Sequence, residues 1–417
     1  MPGTIRLGTA SPATQASTAE TLAQIASIAS RAAAAHIDIL LLPEAYIGGY
    51  PRGTSFGCVI GNRSAEGREE FAQYFEKSID LGDTVGNGAG AGEKWVKREL
   101  GGKDEVRGDG SREELERIAQ ETGVFIVVGC IERAGGSLYC SVVYVCPKEG
   151  MIGKRRKVMP TGTERLVWAQ GCPTTLKAVS TYIRGTRVNL AAAICWESYM
   201  PLLRQTLYSQ NVNLYLAPTA DNRDAWLGLM RTVGVEGRCF VISSNMCVRE
   251  DSSNGTGVDD AVSPTNGSVS RLRRSSTVTE EGHEIALPLS NSDARKKRRK
   301  SVIDENGNEI VLCCDEDENT RETAGGSAKQ NGVDGTKSSV KPASSAYISR
   351  GGSSIVGPFG DVLAGPQWED DDGLIFADVD FRDCIKGRLD LDAGGSYSRN
   401  DSFHFSVRGL DLDPLPY

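Results

Sequence analysis

Ser17-Thr-Ala-Glu-Thr-Leu-Ala-Gln-Ile-Ala-Ser-Ile-Ala-Ser-Arg31, followed six residues later by Ile37-Asp-Ile-Leu-Leu-Leu-Pro-Glu44, decides the architecture. Ser17 and Glu20 have the spacing of a capping box, and Leu22, Ile25, Ala26, Ala29 and Ala33 then recur at helical intervals. Residues 37–42 form a short, nearly unbroken apolar run, the signature of a buried strand. Outward from this pair the alternation continues. Ile5 to Thr9 reads as a strand before the helix. Ser111-Arg-Glu-Glu114 has capping-box spacing and opens a helix that stops at Gly123. Strands follow at Val124–Cys130, Tyr139–Cys146 and Val188–Cys195. Pro201 suits the first turn of a helix ending near Asn211, before strands at Val212–Ala217 and Phe240–Ser243. Ser353–Val356, Val362-Leu363 and Leu374–Val379 resume the pattern, which is that of an α/β fold.

Two stretches break the rhythm. Residues 82–110 are rich in Gly, Lys and Asp and read as an exposed loop insertion. Residues 251–346 are a low-complexity polar insertion, with a basic cluster at Arg295–Lys300 and an acidic run at Asp315–Glu318. Such a composition buries too little apolar surface to offset ordering entropy, so most of it is expected to lack fixed structure. The exception is a hairpin signal, Val302-Ile303 and Ile310-Val311-Leu312 around Asn306-Gly307. The basic cluster reads as a solvated charge run rather than a targeting signal.

The chain has 417 residues, 39 % hydrophobic and 24 % charged, enough for a sizeable core. A net charge of −8 argues against a nucleic-acid partner, since phosphate contacts need a basic face. No apolar run is long enough to span a membrane, and the first residues carry no export signal. Eleven scattered cysteines fit reduced thiols, and the expected location is the cytoplasm. There are only three histidines, His36, His283 and His404. An enzyme built on this chain would therefore draw its base from a carboxylate or a lysine.

Three strand ends could present chemistry, because a rigid sheet positions the loops there. Glu44 follows Leu40-Leu-Leu-Pro43, Lys157 ends Gly153-Lys-Arg-Arg156, and Cys195 closes Leu190-Ala-Ala-Ala-Ile194 before Trp196-Glu197. Each has a plain reading as well: a strand-end Glu is usually solvated, a run of four cations is usually a solvated face, and cysteines are usually buried filler.

Taken with their flanking words, the three resemble the signature segments of the nitrilase branch of the carbon–nitrogen hydrolase superfamily. The words are Leu41-Leu-Pro-Glu-Ala-Tyr-Ile-Gly-Gly-Tyr-Pro-Arg-Gly53, Gly153-Lys-Arg-Arg-Lys-Val-Met-Pro-Thr-Gly-Thr-Glu-Arg165 and Ala193-Ile-Cys-Trp-Glu-Ser-Tyr-Met-Pro201. Further matching words lie at 129–140, 216–221, 236–245, 350–366 and 396–399. The resemblance implies one carbon–nitrogen hydrolase domain over residues 1–417, interrupted by the 82–110 and 251–346 insertions. Its fold would be a four-layer α-β-β-α sandwich. It implies catalytic roles for Glu44, Lys157 and Cys195, and a supporting one for Glu164.

The chemistry suits these residue types. A thiolate is a good nucleophile for a nitrile carbon. A carboxylate of raised pKa can take the thiol proton and later activate water. An ammonium group stabilises the charge that develops, and the Trp196 N–H can add to the same hole. No metal and no cofactor are expected. The expected partners are a small nitrile, water and further copies of the chain, as a dimer, a higher oligomer or a spiral, with Leu202, Leu203 and Leu207 offered for the contact. Other readings are a cyanide hydratase or amidase of the same superfamily, or an inert oligomer-forming member. Departures from the family pattern are Gln170-Gly-Cys-Pro-Thr174 in place of a Gly-Asp-Gly type turn, Trp-Glu-Ser after the cysteine, and no His before Tyr397-Ser-Arg399.

Overall fold

The computed structural model describes residues 3–86, 93–97, 108–250 and 347–417, with the backbone of four short strands between 276 and 311. The chain divides into two compact units, Met1–Ala261 with Ser345–Tyr417, and Val262–Ser344. In the second unit Ser276–Val278 pairs with Glu284–Ala286, and Ser301–Ile303 with Glu309–Val311, both antiparallel. The latter pair flanks Asn306-Gly307, where the sequence signals a hairpin. The remainder of 251–346 lies outside the described residues, and so does the expectation that it lacks fixed structure.

The first unit holds two large sheets built on one plan. In the first, Ile5–Ala10, Ile39–Leu41 and Phe125–Ala134 run parallel, flanked by antiparallel Leu374–Val379 on one edge and by Ser137–Cys146 and Gly150–Arg156 on the other. In the second, Thr186–Ala192, Leu214–Thr219 and Phe240–Asn245 are the parallel trio. Val179–Ile183 borders it on one side; Tyr347–Val356, with Val362–Trp368 and Cys247–Arg249, borders it on the other.

Strand periodicity of two sorts the side chains into three apolar layers. Ile39, Leu41, Phe125 and Val127 meet Leu190, Ala192, Leu214, Leu216 and Phe240 between the sheets. The alternate residues Leu40, Leu42, Ile126 and Val128 face outward onto Ile25 and Ile28 of the Thr18–Ala34 helix and Leu115 and Ile118 of the Ser111–Thr122 helix. On the other side Ala191, Tyr215 and Val241 pack under Leu203 and Leu207 of Pro201–Ser209 and Trp226 and Met230 of Asp224–Gly237. Helix, sheet, sheet, helix is thus the layering, an α-β-β-α sandwich.

Several local expectations need correction. The Ser17 capping box is present in both directions, with Glu20 N–H donating to Ser17 Oγ and Ser17 N–H to the Glu20 carboxylate. Ser111 is no cap, however. The helix starts on it, Gly110 takes the cap position in the left-handed region, and Asp109 accepts the Ser111 N–H. Leu203 and Leu207 are used inside the chain, which leaves only Leu202 of the three leucines exposed. The 82–110 stretch is not exposed throughout: Trp95 is buried, donates its indole N–H to Leu81 O, and lies under both Arg112 and Lys154.

The basic run is the largest departure from a plain sequence reading, because Lys154, Arg155, Arg156 and Lys157 are all buried. The pleat sends them alternately to opposite faces. Lys154 and Arg156 point outward to Glu132, which both hydrogen-bond, and Lys154 Nζ also reaches Asp83 at 2.7 Å. Burial opposes the Glu132 charge, but the two cations outweigh it and hold the carboxyl down at about 2. The stability Glu132 contributes is therefore fully present above its unfolded value of ~4.3 and is lost as pH falls toward about 2. Glu132→Gln should leave Lys154 and Arg156 with Asp83 as their one remaining buried anion and cost about 3 kcal/mol in urea unfolding at neutral pH. A change below ~1 kcal/mol would contradict this account.

Candidate active site

Glu44, Lys157, Glu164 and Cys195 lie together where parallel strands of both sheets end. The chain leaves Ile39–Leu41 through Pro43 and turns at Ala45, which sits at φ +52°. Gly129 on the neighbouring strand permits that turn, since a Cβ there would lie 2.3 Å from Pro43 O and 2.7 Å from Glu44 Cα. Lys157 follows the Gly150–Arg156 strand, its N–H bound to Cys140 O at 2.7 Å. Its Nζ donates to Glu44 Oε1 at 2.8 Å and to Glu164 Oε1 and Oε2 at 2.9 and 2.8 Å. Glu164 is itself held by Tyr50 OH at 2.9 Å and by the Thr161 N–H at 2.7 Å. The Trp168 ring covers the ammonium at 5.4 Å.

Cys195 begins a short 3-10 turn, Cys195–Tyr199, immediately after the Thr186–Ala192 strand and residues 193–194. Its φ of +55° places a non-glycine residue in the left-handed region, a strained conformation of the kind that aims a side chain away from its strand. Thr219, ending the adjacent strand, points its Oγ1 at Cys195 Sγ, 3.2 Å away. The turn is fixed by Glu197. That carboxylate takes both Nη groups of Arg155 at 2.7 and 2.8 Å, the Ile194 N–H at 2.8 Å and the Val158 N–H at 2.7 Å. One buried ion pair thus joins the backbone just after Lys157 to the backbone just before Cys195. The Trp196 N–H is in the first turn, where helical turns leave amides without an internal acceptor. Its side chain turns away, with the indole N–H on Asp221 at 3.0 Å and Arg223 stacked over the ring.

Burial sets the electrostatics. It raises the Glu44 carboxyl above the ordinary range, with Lys157 pulling the other way. It also pushes up the Cys195 thiol, and the Glu44 charge adds to that effect. Burial works against the Lys157 ammonium, yet Glu44, Cys195 and Glu164 outweigh it and keep the group protonated. The result is a protonated amine between two carboxylates, one of them an available proton acceptor beside a neutral thiol. Among the described residues no three His, Cys, Asp or Glu side chains are grouped so as to hold a metal ion.

Sequence reasoning did not single out Tyr50, Cys140, Thr219 or the Arg155–Glu197 pair. Only Glu197, two residues after Cys195 and of opposite charge to the basic run, left a usable signal. Tyr50 and Arg155 share the sequence words of Glu44 and Lys157 but nothing in those words marks their contacts, and Cys140 and Thr219 reach the site from other strands.

The carbon–nitrogen hydrolase family profile matches residues 4–388. A nitrilase of Bradyrhizobium diazoefficiens is 33 % identical over 90 % of this chain and 83 % of its own length. An arylacetonitrilase of Trametes versicolor is 33 % identical over 89 % of this chain and 85 % of its own. Among solved structures, a carbon–nitrogen hydrolase of Helicobacter pylori G27 superposes with a TM-score of 0.53 at 12 % identity, covering 95 % of this chain and 97 % of that one, a likeness of fold. This chain belongs to the carbon–nitrogen hydrolase family, in its nitrilase branch.

Proposed function

We propose that this chain hydrolyses an organic nitrile to the carboxylic acid and ammonia. The observation that carries the reading is the buried Lys157 ammonium, clamped between Glu44 and Glu164 beside the Cys195 thiol. Cys195 gives its proton to Glu44 as sulfur bonds to the nitrile carbon, and one C–N π bond moves onto nitrogen. Lys157 stabilises that charge, with help from the Trp196 N–H, until the proton held by Glu44 arrives and leaves a thioimidate. Glu44 then takes a proton from water, which attacks the same carbon. Glu44 returns that proton to nitrogen, the proton of the added hydroxyl follows it, and the C–N bond breaks to expel ammonia and leave a thioester with Glu44 deprotonated again. A second water, activated in the same way, breaks the C–S bond and frees the acid. Glu164 holds Lys157 and so orients it.

The nitrilase and arylacetonitrilase names of its relatives support the nitrile as substrate. Aromatic, arylacetic and aliphatic nitriles, cyanide and the matching amides, offered in parallel, test the reading. Ammonia and acid in equal amounts from an organic nitrile are expected. Ammonia from amides alone, or formamide from cyanide alone, would replace this substrate with another. We also carry forward self-association, for which Leu202 and not Leu203 or Leu207 is available. A monomer by sedimentation at micromolar concentration would refute it.

A further inference from the structure

Glu44 treats its two oxygens unequally. Oε1 accepts from Lys157 Nζ at 2.8 Å and from Cys140 Sγ at 3.5 Å. Oε2 is buried and has no hydrogen-bond partner among the described residues. Unpaired buried carboxylate oxygens are costly, so one retained in a fully buried side chain calls for a use. Cys195 is close enough to favour the Glu44 charge, although no hydrogen bond closes on Oε2.

Cys140 is placed to enforce this asymmetry. It lies on the Ser137–Cys146 strand opposite Ile131, fully buried. Its carbonyl fixes the Lys157 N–H while its thiol reaches the same carboxylate oxygen that Lys157 holds. Burial and the Glu44 charge push the Cys140 thiol well above its ordinary range, so it remains S–H and donates to the carboxylate oxygen, which only accepts.

We propose that Cys140 is a positioning residue for Glu44: with Lys157 it occupies Oε1 and fixes the carboxylate plane, so that Oε2 is the oxygen that exchanges protons with Cys195 and with water. This rests on the reading of Glu44 as the base. A weak donor suits the position. It orients the carboxylate without stabilising the charge so strongly that the base is lost.

The test is the pH profile of kcat/KM on phenylacetonitrile, or on the nitrile turned over fastest, for the full chain and its Cys140→Ala and Cys140→Ser variants. Losing the donor disfavours the Glu44 charge, so Cys140→Ala should move the acidic limb upward by about half to one pH unit. A hydroxyl donates more strongly than a thiol, so Cys140→Ser should move the limb downward. KM should stay within about twofold in both variants, because neither changes a group that touches substrate. A limb that stays put in either folded variant, or a Ser variant that moves it upward, overturns the proposal. Should the Ala variant fail to fold, the direction of the Ser shift decides alone. Glu44→Gln, run beside them, separates the two readings. If it is inactive while the Cys140 limbs stay put, only the positioning role falls. If it turns over at the wild-type rate, the base assignment falls as well.

Discussion

Replacing Cys195 by Ala is expected to lower ammonia release by roughly 10⁴-fold or more, because the covalent route loses its only attacking atom. The fold should tolerate the change. Ala bears the same left-handed backbone that Cys195 already adopts at φ +55°, so no new strain enters. The lost sulfur leaves a small void, and Thr219 Oγ1 still accepts the Asp221 N–H at 3.0 Å. The stability cost should be about 1 kcal/mol, a shift of a few degrees in thermal midpoint. Mass spectrometry of the wild-type chain trapped with a slow nitrile should place the adduct on Cys195. Other buried thiols are poor competitors. Cys130 is also pushed up by burial, but the nearby carboxylate of Glu132 is held at about 2 by Lys154 and Arg156 and cannot act as a base for it. An adduct on Cys130 or Cys239, or undiminished turnover in Cys195→Ala, would move the nucleophile elsewhere.

The layering was readable because it is written in local periodicities. The Ser17–Glu20 cap, the apolar run that becomes Ile39–Leu41 and the apolar approach to Cys195 each lie within one element. What escaped reading depends on contacts between elements. The Asp224–Gly237 helix carries three glycines and has no side-chain cap, so its local signal is weak. The packing accounts for two of them: a Cβ on Gly234 would lie 2.6 Å from Gly357 O, and one on Gly237 2.6 Å from Tyr208. The basic run looks solvated in one dimension because its partners Glu132, Glu197 and Glu44 arrive from other segments. In the candidate site the strand-end positions of Glu44, Lys157 and Cys195 could be named from flanking words. Cys140 and Thr219 could not, since strand residues announce a face and not the neighbour they meet across the sandwich.

Removing the Lys157 charge should damage the site nearly as much as removing the thiol, and in a way that pH can diagnose. Lys157→Met keeps most of the volume but leaves Glu44 and Glu164 buried without the ammonium that both now hold. Two close, buried carboxylates cannot both stay charged, so a proton is taken up between them. Burial already raises the Glu44 pKa, and Lys157 is the largest influence opposing that rise. Without it the Glu44 pKa climbs further, and at neutral pH the base is occupied by a proton. Loss of charge stabilisation on the substrate nitrogen adds to this, so turnover near neutrality should fall by about 10³-fold or more. The residual activity should rise with pH over the range in which the wild-type rate is already level, since Glu44 must now be deprotonated against a higher pKa. Lys157→Arg should restore the charge but not the rate. A planar guanidinium with five donors does not fit where a compact Nζ meets three carboxylate oxygens within 2.9 Å, and it would pair side-on with one carboxylate and release the other. Its pH profile should therefore lie closer to wild type than that of Lys157→Met, while its plateau stays low. Equal profiles for the two variants, or a Lys157→Met rate within tenfold of wild type at neutral pH, would remove Lys157 from the mechanism.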